Sequence, residues 1–153
     1  MAWPFVLAAL LYLAFRLWYD SWRGPLTAAE IEAGLAALRA RGVEAPQDFA
    51  AFRSFLEADD GREFLMLNLV RVEPGLVTHP GTGAQVPGRD LLQQYTRHFI
   101  RRLVGRGGHP ALAARKVGPY VDAWHVPPDP GWSIVGLMRY RSRRDLLALT
   151  PAT

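Results

Sequence analysis

The amino-terminal segment constrains the fold of this chain more than any other feature. It carries no charged side chain from Ala2 to Phe15, and the apolar run continues past a single charge at Arg16. With a helical rise of about 1.5 Å per residue, a helix reaching Trp22 is roughly 30 Å long, which matches the hydrocarbon core of a bilayer. The sequence therefore predicts a transmembrane anchor over residues 1–23.

Aromatic side chains at both ends of this run and arginines at its carboxyl end support the prediction, because aromatic rings and arginine stems favour the membrane interface. The predicted interface residues are Trp3 at one end and Arg16, Trp18, Tyr19, Trp22 and Arg23 at the other. A cleaved signal peptide is disfavoured because no lysine or arginine precedes the run and no small-residue cleavage site follows it. A helix lying flat on the membrane is disfavoured because the run is apolar all round.

The charges that flank the run predict its orientation. Arg16 and Arg23 follow it, opposed by Asp20, and no lysine or arginine precedes it. The positive-inside rule then places the carboxy-terminal domain in the cytoplasm. We expect a single-pass protein of the bacterial inner membrane.

Composition limits the rest of the chain to one folded domain. Of the 153 residues, 50% are hydrophobic and 21% are charged, which is typical of a globular protein. The absence of cysteine excludes disulfides, thiolate metal sites and cysteine nucleophiles. A net charge of +4 suits an anionic membrane surface. Because the excess is almost entirely arginine, which reflects codon composition as readily as function, we expect no nucleic-acid partner.

Residues 24–61 are predicted to form a helical linker region. Thr27 followed by Glu30 is typical of a capping box that opens a helix. A second helix is predicted to begin near Pro46 and to end at the turn over residues 59–61.

Residues 62–153 are predicted to form an α+β domain, a sheet with packed helices. Residues 63–73 form a near-continuous apolar run, which predicts a strand buried on both faces. The remaining predicted elements are a loop over 74–88, a helix over 89–106, strands over 111–117, 120–126 and 132–141, and a helix over 143–149 capped by Ser142. The helix over 89–106 is predicted to be buried through Leu92, Tyr95, Phe99 and Leu103.

The phrases FLMLNLVRV, YTRHFIRRLVGRGG and WSIVGLMRYRSRRDLLAL in this order resemble the ferredoxin-like dimeric α/β-barrel superfamily, and most closely an uncharacterised bacterial branch of small proteins. The resemblance covers about residues 62–150. It implies a ferredoxin-like sheet and the pairing of two sheets in a homodimer. The superfamily includes heme-handling and antibiotic-biosynthesis monooxygenases, whose pocket lies between helix and sheet. The sequence stops at Thr153, before the superfamily's final strand, which leaves a sheet edge that something must cover.

Three residues are weak candidates for chemistry. Asn68 is the one polar residue on an otherwise apolar strand face, so it either orients a ligand or makes a structural hydrogen bond, and we favour the latter. Tyr95 and His98 lie one helical turn apart and could form an acid–base pair or bind heme. The alternative is a hydrogen-bonded boundary histidine, which is more common.

Other catalytic and metal motifs are missing from the sequence. His79, His109 and His125 have no second ligand at a metal-like spacing. No glycine-rich phosphate loop follows a strand, and no serine lies in a nucleophile-elbow motif. We therefore predict no metal and no cofactor.

Five arginines lie along the predicted long helix: Arg89, Arg97, Arg101, Arg102 and Arg106. They indicate either a solvated helix face or a surface that docks on anionic headgroups or an acidic partner subunit.

Two functional hypotheses follow. The first is an accessory subunit that braces an integral-membrane complex, respiratory or photosynthetic, through its span and its cytoplasmic domain. Since the predicted span contains no histidine, its role there would be structural. The second is a small-molecule-binding protein or monooxygenase-like enzyme with Asn68, Tyr95 and His98 around an apolar pocket. We favour the first, and therefore a non-enzymatic role.

Overall fold

The computed structural model describes residues 2–20, 23–40, 46–120, 124–125 and 127–149. The elements in these ranges are α1 (Trp3–Tyr19), α2 (Ala28–Arg39), α3 (Pro46–Glu57), β1 (Phe64–Val70), β2 (Leu76–Thr78), β3 (Gln85–Pro87), α4 (Gly88–Gly105), β4 (His109–Arg115), β5 (Ile134–Tyr140) and α5 (Arg143–Leu149). The predicted α+β class is confirmed. The chain forms two compact units: residues 1–64 with 140–153, called the first unit, and residues 65–139, called the second unit.

The amino-terminal helix differs from the prediction. α1 has 17 residues, from Trp3 to Tyr19, so it is about 26 Å long, shorter than the roughly 30 Å expected of a span. Across the described ranges, no helix combines the length and the apolar character needed to cross a membrane. The predicted transmembrane anchor over residues 1–23 is therefore unsupported. Trp22, which was expected to extend it, lies outside the described residues.

The core of the first unit is formed by α2 and α3. The predicted capping box is present: the Thr27 amide donates to Glu30 Oε2 (2.9 Å), and the Glu30 amide donates to Thr27 Oγ1 (3.3 Å). This cap satisfies amide groups that the first helical turn leaves without partners. Ile31 and Leu35 on α2 then pack with Leu56 on α3 as a buried cluster. α3 has the predicted start at Pro46.

Within the first unit, arginines at the start of α5 join this helix to the end of α1 and to the segment after it. Arg141 donates to the Trp18 carbonyl (2.7 Å), and Arg144 donates to the Gly24 carbonyl (3.0 Å). The predicted cap is also confirmed, since the Asp145 amide donates to Ser142 Oγ (3.2 Å). These contacts tie the end of α1 and the segment after it to a helix far along the chain.

The second unit contains two sheets. The larger has the strand order β1-β5-β4, with β4 antiparallel to β5 in a register from His109↔Arg139 to Arg115↔Ile134. The smaller is an antiparallel hairpin of β2 and β3, which lies within the predicted loop over 74–88. That prediction was wrong because strands of three residues are too short to show a periodic pattern.

Two burial predictions for the second unit were wrong. β1 buries only one face, and Leu65, Leu67 and Leu69 on the other are 49%, 60% and 44% exposed. Tyr95 is 65% exposed on α4, where its ring stacks on Phe99 at 6.0 Å, whereas Leu103 is buried as expected.

The predicted strand over 120–126 falls largely outside the described residues, because 121–123 and 126 are not described. Its described residues, Tyr120, Trp124 and His125, are not in a strand.

Candidate functional site

The surface of α1 is apolar and open along its whole length. Eleven large apolar side chains of this helix are between 48% and 78% exposed, and none of its residues is buried. We call these eleven residues the α1 surface: Trp3, Phe5, Val6, Leu7, Leu10, Leu11, Tyr12, Leu13, Phe15, Leu17 and Trp18. Continuous exposed apolar patches are typical of interaction sites, whereas apolar residues exposed singly are usual on monomeric proteins.

The carboxyl end of α1 holds three of the six predicted interface residues. Arg16 pairs with Asp20 at 2.7 Å, and the Trp18 and Tyr19 rings lie in contact at 6.4 Å. The Arg141 guanidinium lies 4.9 Å from the centroid of the Trp18 ring, within the range of a cation–π interaction. Arg141 therefore contacts the aromatic end of α1 within the first unit.

The other predicted interface residues are placed as follows. Trp3 opens α1 at the opposite end and is 72% exposed. Arg23 lies beyond the helix, where it pairs with Glu30 at 3.4 Å.

A groove of about 1050 Å³ lies in the second unit beside α4. Its apolar walls come from Val72, Leu92, Ile100 and Ile134. Four arginines also line it: Arg89, Arg97, Arg101 and Arg115.

The sequence of α4 explains how one helix supplies both kinds of wall. Leu92, Thr96 and Ile100 follow each other at intervals of four residues and therefore form a row along the helix. Arg97 and Arg101, one position further along the chain, form a parallel cationic row beside it. The groove thus has an apolar and a cationic side along its length.

The strand side of the groove is held by Ser133. Its hydroxyl oxygen accepts from the Val72 amide (3.2 Å), and its own amide donates to the Val70 carbonyl (2.8 Å). These bonds join the end of β1 to the start of β5. Arg115 at the end of β4 lies opposite Ile134 in the β4–β5 register, which brings its guanidinium to the same groove.

The three weak catalytic candidates lie outside the lining of the groove. Asn68 is half-buried and donates its side-chain amide to the Met66 carbonyl of its own strand (3.3 Å), whereas the favoured interpretation was a hydrogen bond to a neighbouring strand or loop. Tyr95 and His98 are both exposed on α4. Among the residues that the structure describes, no group of three or more histidine, aspartate or glutamate side chains could hold a metal ion.

The five predicted docking arginines divide into two sets. Arg89, Arg97 and Arg101 line the groove, whereas Arg102 and Arg106 are exposed outside it. Arg115 was expected just beyond the long helix together with Lys116, and the pairing of β4 with β5 places it in the lining of the groove.

The fold was compared with known proteins. No known family profile matches the chain, and no curated protein matches it. Two solved structures of the RPA0582 protein are similar to it. The chain shares its fold with RPA0582. The crystal structure of methylated RPA0582 has 21% identity and a TM-score of 0.55, covering 68% of this chain and 73% of that one.

The second is the crystal structure of RPA0582 from Rhodopseudomonas palustris, which is described as a protein of unknown function. It has 22% identity and a TM-score of 0.54, covering 68% of this chain and 74% of that one. At this identity the likeness to RPA0582 is one of fold alone.

Proposed function

We propose that this protein is an accessory subunit that attaches to a membrane and braces an integral-membrane complex through α1. The observation that carries the proposal is the α1 surface, whose eleven apolar side chains are all at least 48% exposed. Removing apolar area from water is favourable by about 25 cal/mol per Å². A lipid or protein environment that covers this helix therefore stabilises the attached state.

A bracing role is supported by the way α1 is held. Arg141 contacts both the carbonyl and the ring of Trp18, and the Tyr19 hydroxyl donates to Glu63 (2.7 Å). A helix fixed to its own unit in this way would orient that unit when it docks. The location that belongs to this proposal is the cytoplasmic face of a bacterial inner membrane. The exposed leucines of β1 offer a surface for a second copy or a neighbouring subunit, in keeping with the pairing of sheets that the superfamily resemblance implies.

The test is purification of the full chain from its native membranes in a mild detergent. We expect stoichiometric integral-membrane subunits to co-purify. A triple variant, Leu10→Gln with Leu11→Gln and Leu13→Gln, should lose them, because all three side chains lie on the α1 surface and none is in the core. Val117→Gln, at a side chain that is 90% exposed in the second unit, serves as the control. Recovery of the wild-type chain without any partner would contradict the proposal.

We propose small-molecule binding in the groove as a second candidate function. The observation that favours it is the groove's volume of about 1050 Å³ with apolar walls, which is the scale of a ligand site. A neutral aliphatic probe such as 1-dodecanol should raise the melting temperature, because a ligand that binds only the folded state stabilises it. Thr96→Trp, which fills the groove from α4, should abolish that increase. An unchanged melting temperature in the wild-type chain would argue against binding.

A further inference from the structure

We propose that the groove binds an anionic amphiphile, a molecule with an aliphatic chain and a carboxylate head. This inference rests on the second candidate function, small-molecule binding in the groove. It assigns the acidic head to the arginines and the chain to the apolar walls.

The cationic side chains around the groove favour the binding of an anion. Four arginines line it, and within the described part of the chain none of them forms an ion pair with a carboxylate. The acidic residue in the lining, Glu73, is already paired with Arg71 at 2.7 Å. Guanidinium groups that share one groove repel each other, and a carboxylate relieves the repulsion while accepting two parallel hydrogen bonds.

The apolar walls define the body of the ligand. They consist of aliphatic side chains, chiefly Val72, Leu92, Ile100 and Ile134, and no described lining residue is aromatic. A nucleobase or another flat ring would find no side chain on which to stack. A flexible hydrocarbon chain needs only apolar contact, which these walls supply.

The alternative without a ligand is that the arginines form a solvated helix face. Long cationic side chains often have no role beyond solubility. Arg106 offers an internal comparison, because it caps the carboxyl end of α4 and lies outside the groove. If the arginines form only a solvated face, removing arginines inside or outside the groove should have equal effects on dodecanoate binding. If the groove is a binding site, only the removal inside it should weaken that binding.

The probe is dodecanoate labelled with ¹³C at its carboxyl carbon. The full chain is held in phosphatidylcholine nanodiscs, and empty nanodiscs give the signal of probe that partitions into lipid. At mildly alkaline pH the probe is ionised, and its carboxyl resonance reports contact with guanidinium groups. 1-Dodecanol tests the chain without the charge, and acetate tests the charge without the chain.

The expected result is one saturable site for dodecanoate. We expect 1-dodecanol to bind roughly tenfold more weakly, because charge-assisted hydrogen bonds to the head are lost. Acetate should not saturate the site. Arg97→Gln combined with Arg101→Gln should weaken dodecanoate roughly tenfold. Arg106→Gln combined with Arg62→Gln removes the same charge outside the groove and should leave binding unchanged.

Four outcomes would overturn the inference. Equal binding of dodecanoate and 1-dodecanol would leave small-molecule binding standing and show that the anionic class is wrong. Equal loss in both double variants would identify a general charge effect. No binding of either probe above empty nanodiscs would remove both the ligand class and the binding function. A Thr96→Trp variant that melts normally and still binds dodecanoate would place the site elsewhere.

Discussion

At the scale of single residues, Glu30 has the most altered chemistry. Arg144 donates to both of its carboxyl oxygens, at 3.0 Å and 3.1 Å, and the Thr27 amide donates to it as well. These hydrogen bonds, with the one from Arg144 largest, lower the pKa of Glu30 from 4.5 to about 2. The ionised form is therefore favoured in the folded state. One carboxylate joins the start of α2 to α5.

Replacing Glu30 should change how stability depends on pH. Because its pKa is lower in the folded state, Glu30 contributes stability above pH 4.5, and this is lost as the pH falls from 4.5 towards about 2. Glu30→Gln should therefore have a lower melting temperature than the wild type at neutral pH, and the difference should narrow across that window. Thermal melts at several pH values, followed by circular dichroism, measure it. A difference that stays constant with pH would rule out the ion pair as its cause.

Leu35 tests the core of the first unit. Its side chain is 0% exposed and packs against Ile31 and Leu56. Leu35→Ala should lower the free energy of unfolding by about 2–5 kcal/mol through lost contacts and a cavity. Val117→Ala, at a side chain that is 90% exposed, should change it by less than about 0.5 kcal/mol. Denaturant titration measures both, and equal effects would show that α2 and α3 do not form the core.

Residue contacts close in sequence could be predicted, whereas distant ones could not. The capping box of Thr27 and Glu30 spans three residues, so the pattern itself specifies the bond. The contact between Glu30 and Arg144 spans 114 positions, and nothing in either local sequence indicates it. Arg115 joins the groove for the same kind of reason.

At the scale of elements, the turn from α4 into β4 is packed against the sheet. A Cβ atom at Gly108 would lie 2.7 Å from the Arg139 carbonyl oxygen and would also clash with Leu103, whereas one at Gly105 would meet nothing within 4 Å. Gly108 therefore has no space for a side chain, whereas Gly105, three residues earlier, does.

Gly108→Ala and Gly105→Ala form a matched pair. Gly108→Ala should destabilise the protein by about 1–3 kcal/mol, because the backbone must move to accommodate the methyl group. Gly105→Ala should be neutral or stabilising by up to about 1 kcal/mol, since alanine favours the helical conformation. Equilibrium denaturation of both variants distinguishes them. Similar effects of the two substitutions would mean that the α4–β4 turn is not packed in this way.

Helices were predicted more accurately than strand environments. The start of α2 and both ends of α4 and α5 were predicted to within one residue, because caps and the spacing of apolar residues are local features. The apolar run of β1 predicted burial on both faces, but one chain covers only one face. Sequence periodicity does not show whether another element covers the second face of a strand, so the exposure of Leu65, Leu67 and Leu69 could not be predicted from it.

At the scale of the whole molecule, α1 resembles β1, because both present exposed apolar side chains. Its apolar sequence predicted a hydrophobic environment, and within the described residues no part of the helix is buried. The predicted helix was too long, because α1 ends at Tyr19. The apolar surface that motivated the prediction is nevertheless present and open, and it is the basis of the proposed attachment.

Density-gradient flotation of membranes tests this attachment most directly. The wild-type full chain and the triple variant Leu10→Gln, Leu11→Gln and Leu13→Gln are expressed in bacteria and centrifuged with their membranes, with Val117→Gln as the control. We expect the wild type and the control to float with the membranes and the triple variant to remain at the bottom of the gradient. A wild-type chain that stays at the bottom, or a triple variant that floats equally well, would contradict attachment through α1.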